Sequence, residues 1–162
     1  VDKAQDPVGA SGWVIDMAKE SIEVLVDEFG DSWNRANTNQ RKPVIMDITT
    51  LDPGRGKRFD LNRSDAVFMY ETAHNEEQPE IFYDFVNTRI NITIDIRTVR
   101  GRTQLMQMED EVRRIIHSKR RGDDTNYDRL LYKTRTDLSD RTKHLHRMTF
   151  QVEIITFSEL IA

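Results

Sequence analysis

The segment Phe85-Val-Asn-Thr-Arg-Ile-Asn-Ile-Thr-Ile-Asp-Ile96 alternates with a period of two. Val86, Ile90, Ile92, Ile94 and Ile96 take even positions, while Asn87, Arg89, Asn91, Thr93, Asp95 and Arg97 take odd ones. That is the pattern of a strand with one face in a core and the other in water. It predicts a single strand over about 85–99, spanning roughly 50 Å at 3.3 Å per residue. A small domain rarely needs such a length, and a strand that overhangs its own sheet invites a neighbouring subunit to pair with it.

Downstream, Gly101 punctuates the chain and a helix is expected over about 103–121, with Leu105, Met108, Val112, Ile115 and Ile116 as its buried stripe. Glu109 with Arg113 and Asp110 with Arg114 read as stabilising pairs at four-residue spacing, and Lys119, Arg120 and Arg121 suit a helix C-terminus. Two strands follow, Leu130 to Thr136 and about 144–157, separated by the turn residues Asp137, Ser139 and Asp140. Upstream, Val14, Met17, Ala18, Ile22, Leu25 and Phe29 form one apolar stripe, so a first helix is expected over about 11–29, capped by Ser11 and ended by Gly30. Short strands at Val44 to Thr50 and Ala66 to Thr72 complete the order helix, two strands, long strand, helix, two strands. The expected fold is a single α+β domain over 1–162, a mostly antiparallel sheet with two amphipathic helices packed on one face.

The chain has 162 residues, 37% hydrophobic and 32% charged, and its lack of cysteine excludes disulfides, thiolate metal sites and thiol nucleophiles. No apolar run approaches the ~18 residues of a membrane span, and no signal pattern opens the sequence, so neither membrane insertion nor ordinary export is expected. The net charge of −4 is mild, but it is unevenly spread. Residues 1–37 hold three basic and eight acidic side chains, whereas residues 100–147 hold thirteen basic and eight acidic ones. Such halves attract within a fold or between copies.

Motifs for chemistry are weak. His144 and His146 lie two apart on an expected strand and would point the same way, but no third metal ligand is specified by spacing, whether His74, His117 or a carboxylate. Gly54-Arg55-Gly56-Lys57-Arg58 lacks the spacing, hydroxyl residue and following helix of a nucleotide-binding loop. No nucleophile elbow is present. The cluster Arg113, Arg114, Lys119, Arg120 and Arg121 would suit phosphates, with only Tyr127 and Tyr132 nearby as stacking partners. Neither catalysis nor a cofactor is expected.

In element order the chain resembles the tail terminator (tail-completion) proteins of tailed phages and related viruses. The resemblance rests on the first helix, on the long strand at 85–96 leading through Gly101 into the second helix, and on two closing stretches. These are Leu-Leu-Tyr-Lys-Thr-Arg-Thr-Asp-Leu-Ser-Asp at 130–140 and Arg-Met-Thr-Phe-Gln-Val-Glu-Ile at 147–154. It covers most of the chain. The resemblance implies an α+β virion subunit at the tail–neck junction, assembled in the host cytoplasm into a ring usually of six copies. Such a ring caps the tail tube, ends its polymerisation, meets the head-completion or connector protein, and lets DNA pass through its channel. It performs no chemistry, needs no cofactor and involves no membrane. A head-completion or neck adaptor protein is the alternative within that class, and a small nucleic-acid-binding α+β module is the alternative outside it.

The family supplies no matched functional residues, so the site residues follow from position. Asn91, Thr93, Asp95 and Arg97, on the polar face of the long strand, are expected to line a subunit contact or the channel. Arg55, Lys57 and Arg58 in one loop, and Asp137, Asp140 and Arg141 in another, are expected to reach a partner. A closed ring needs two different patches meeting head to tail, for which the acidic first helix and the basic 100–147 region are one pairing.

Overall fold

A computed structural model describes residues 21–48, 59–77, 85–121, 127 and 129–159. The elements are helix α1 (Ser21–Ser32), a 3-10 turn (Arg35–Thr38), β1 (Val44–Asp47), β2 (Ala66–Glu77), β3 (Phe85–Thr98), helix α2 (Arg102–Ser118), β4 (Arg129–Asp137) and β5 (His146–Glu159). The five strands form one sheet in the order β1-β2-β3-β5-β4. Only β1 runs parallel to its neighbour; every other pairing is antiparallel. The fold is therefore α+β, with the mostly antiparallel sheet expected.

The even face of β3 explains the architecture. Ile92, Ile94 and Ile96 are wholly buried and join Val67 and Met69 of β2 with Met148, Phe150, Val152 and Ile154 of β5. Both helices close over this one face. From α1 come Ile22, Leu25 and Phe29, and from α2 come Leu105, Met108, Val112 and Ile115, at the three- and four-residue spacing of an amphipathic helix. Burying one such aliphatic side chain contributes about 2 kcal/mol, so this layer is the main source of stability.

Several boundaries differ from the sequence expectation. α1 continues through Gly30 to Ser32, and its first part, with Ser11, lies outside the described residues. Gly30 keeps a helical backbone rather than the left-handed turn expected of a helix stop, and the helix goes on to place buried Trp33, whose N–H donates to Phe29 O at 3.0 Å. α2 ends at Ser118, so Arg120 and Arg121 fall beyond it. β2 runs past the expected end at Thr72 to Glu77, and a bulge between Glu71 and Ala73 shifts the alternation where the sequence pattern stops.

The long strand is real but does not lie at an edge. β3 is paired to β2 from Asn87 to Arg97 and to β5 from Phe85 to Thr98, so it has no open side for a neighbouring subunit. The overhang belongs to its neighbours. β1 covers only Ala66 to Met69 of β2, leaving the outer edge from Tyr70 to Glu77 unpaired among the described residues. On the opposite side, β4 is the other edge strand.

Candidate functional site

The odd face of β3 carries four of the residues singled out from sequence, and it is not the wet face that alternation implies. Thr93 and Asp95 are buried, at 2% and 0% exposure, although among the described residues both helices pack on the opposite face of the sheet. Asp95 is enclosed by two arginines: Arg97 Nη2 donates to Oδ2 at 2.8 Å and Arg147 Nη2 to the same oxygen at 2.9 Å. Arg97 also lies over the Phe68 ring, 5.2 Å from its centroid. The Thr93 hydroxyl donates to Gln151 Oε1 at 3.0 Å, and Arg89 Nη1 to Glu153 Oε1 at 3.0 Å. Asn91 is half-buried beside them. Long arginine side chains thus lie along the sheet and seal it with their own stems. The four residues come together, but Thr93, Asp95 and Arg97 spend their polar atoms within the chain.

Two acids on α2 are also turned inward. Glu109 does not serve the expected pair with Arg113: it is buried and ion-paired with Arg135 of β4. Glu111 is 1% exposed and gathers donors from three residues. Arg114 Nε reaches Oε1 at 2.7 Å, Asn37 Nδ2 the same atom at 2.8 Å, and Asn34 N reaches Oε2 at 2.5 Å. Burial works against its charge, yet these donors outweigh burial and hold the carboxyl below the usual glutamate range. Glu111 thereby fastens the 3-10 turn to α2, and Arg114 is committed to it rather than to a partner. The signal was present in the sequence, because Gln104, Met108, Glu111 and Ile115 follow the spacing of one helix face.

Tyr127 and Tyr132, the expected stacking partners, point into the protein. Tyr127 is 3% exposed and its hydroxyl donates to Glu28 Oε2 at 2.5 Å, while Tyr132 packs edge-on to Phe150 with ring centroids 6.1 Å apart. Tyr127 is not available to a base, and Tyr132 is half-buried against the core.

Asp137, Asp140 and Arg141 come together at the turn between β4 and β5. Asp140 N donates to Leu145 O at 2.8 Å and Leu145 N to Asp140 O at 3.0 Å, closing the turn. Within it the Asp140 carboxylate accepts from Thr142 N at 3.0 Å and the Thr142 hydroxyl at 2.7 Å, which holds its pKa below the ordinary value. Asp137 accepts from Ser139 and from Arg102 at the start of α2; the Ser139 donors foremost, with Arg102, bring its pKa to about 2. His144 has a left-handed backbone, φ 52°, and lies in the turn, whereas His146 opens β5. The two histidines are therefore not consecutive side chains on one strand face, as expected, but they meet across a cleft of about 630 Å³ lined by Arg102, Asp137, Ser139, Arg141, His144 and His146. Among the described residues no group of three or more His, Asp and Glu is placed to hold a metal, and no helix is long and apolar enough to cross a membrane. Arg55, Lys57 and Arg58 lie outside the described residues.

No protein-family model and no curated protein matches the chain.

Proposed function

We propose that the chain is a virion structural protein of the tail–neck junction, a ring-forming subunit that caps the tail tube and joins it to the connector. The observation that supports this reading is the pair of sheet edges. The open edge of β2 and the edge of β4 lie on opposite sides of the same sheet, so β2 of one copy can pair with β4 of the next without using the same patch twice. Their charges are complementary. The open β2 edge carries Glu71, while β4 carries Arg129 and Lys133. Strand addition of this kind supplies main-chain hydrogen bonds, and the charges set register. The contact is heterologous, which is the type that closes into rings.

The decisive measurement is the native mass of the purified protein by light scattering on a sizing column, with negative-stain images of the main peak. A ring with a central hole, at several times 19.0 kDa, is expected. Reversing both β4 charges (R129E with K133E) is expected to abolish rings, and adding E71K to restore them in part. A particle that remains at the mass of one chain at every concentration overturns the reading.

A further inference from the structure

We propose that the cleft between the start of α2 and the β4–β5 turn binds a phosphate group, either as the free anion or as a phosphodiester of DNA. The inference does not depend on ring formation.

Three observations carry it. First, the topology gathers cations at one end of the sheet, with a histidine beside them: Arg97 and Arg100 at the end of β3, Arg102 opening α2, Arg141 next to His144 in the turn, and Arg147 at the start of β5. Second, the acids among them are already spent. Asp95 is closed between Arg97 and Arg147, Asp65 accepts from Arg100 Nη1 and Thr98 Oγ1 at 2.6 Å each, and Asp140 serves its own turn. Asp137 takes one nitrogen of Arg102, whose guanidinium carries further donors. Third, the cleft holds polar side-chain nitrogens without partners. Among the described residues the side chains of Arg141 and His144 make no hydrogen bond or ion pair, and His146 Nδ1 is buried without a partner. A buried polar atom of that kind costs stability unless a ligand or water satisfies it.

The chemistry selects the ligand. Planar guanidinium groups and imidazoles, arranged on three walls of an open cleft, match the several oxygens of a phosphate better than the two of a carboxylate. The turn that presents Arg141 and His144 is already closed by the Asp140–Leu145 pair, so little ordering is needed on binding. The cleft is wide enough for a phosphate and open enough for one that is still part of a chain.

The test uses the full-length protein with isotopically labelled histidine. Inorganic phosphate and a short random-sequence DNA duplex are titrated separately at low salt, following the His144 and His146 ring signals by NMR and the affinity by calorimetry. Both signals are expected to shift with at least one of the two. R141Q and H144Q, which lie in an exposed turn, are each expected to weaken binding about tenfold, the worth of one charge-assisted hydrogen bond. R141Q is also expected to reduce the salt dependence of DNA binding by about one phosphate equivalent. R113Q, on the same helix but ~16 Å from Arg102 at 1.5 Å per residue, is expected to leave binding unchanged. A response to DNA alone identifies the phosphodiester as the source, and a response to phosphate alone identifies the free anion. Histidine signals that do not move with either probe, or an equal loss in R113Q, overturn the proposal.

Discussion

At the centre of β3, Thr93 and Asp95 on one face are buried as deeply as the isoleucines on the other, by opposite means. On the even face Ile92, Ile94 and Ile96 are sealed by two helices, and nothing directional is required of their contacts. On the odd face, among the described residues, Thr93 and Asp95 are closed over by Arg97, Arg147 and Gln151 laid along the sheet. Exclusion of water therefore has two costs in this protein. The apolar face is secured by area alone, whereas the polar face is secured only while every donor keeps its acceptor. The first tolerates small changes of shape; the second tolerates no change of charge.

The comparison is broken most severely on the apolar side. Ile94→Ala removes a wholly buried side chain beneath α2 and is expected to lower unfolding free energy by about 4 kcal/mol, read from the urea midpoint at unchanged slope. Asp95→Ala is expected to cost about 3 kcal/mol, because it leaves two guanidinium groups facing each other over a dry strand. The distinction between the faces is sharpened by the double variant Asp95→Ala with Arg147→Met. Its loss should be smaller than that of Asp95→Ala alone, and a larger loss would mean that the pair stabilises beyond mutual neutralisation.

Glu111→Gln is expected to cost about 2 kcal/mol, since the amide keeps the shape but loses the charge that faces Arg114. The same carboxyl gives a pH signature. Its pKa in the folded state lies below that of the unfolded chain, so its contribution is complete above the unfolded value near 4.3 and is lost as the pH falls through the folded one. Acid unfolding of Glu111→Gln should accordingly be less steep than that of the parent protein. The smallest effect belongs to Asp137, which is largely solvated. Its carboxyl should titrate at about 2 by NMR and move toward the ordinary aspartate value in Ser139→Ala, with stability little changed.

Much of this architecture was legible in the sequence because it follows from periodicity. The even isoleucines of β3 and the stripe of α2 identified the core face, the α+β class and the element order. Burial of the odd face was not legible, since Asp95 is closed off by Arg147, 52 residues away, as well as by its neighbour Arg97, and no local pattern connects Asp95 to Arg147. Length was also a poor guide to position. β3 looked like an overhanging edge, yet its length serves two full-length neighbours, and the open edge falls to β2, whose bulge disguised its continuation. At the candidate site, Asp137, Asp140 and Arg141 were recognisable as turn residues, but their cleft depends on Arg102 and His146, which only the meeting of α2 with β5 supplies.

The central place of β3 has a consequence for how the chain acquires its fold. β2 and β3 can pair as soon as both have left the ribosome, but the other side of β3 must wait for β5, which arrives after α2 and β4. Contacts such as Arg89 to Glu153 close 64 residues of chain. Until then a long, isoleucine-rich strand stands with one edge bare, the condition under which nascent sheets find the wrong partner. Pairing across such separations is slow, so folding on the scale of milliseconds to seconds is expected. The alternating Asn91, Thr93, Asp95 and Arg97 keep that waiting edge polar on one face, a protection during synthesis that becomes a sealed ion-pair layer once β5 docks.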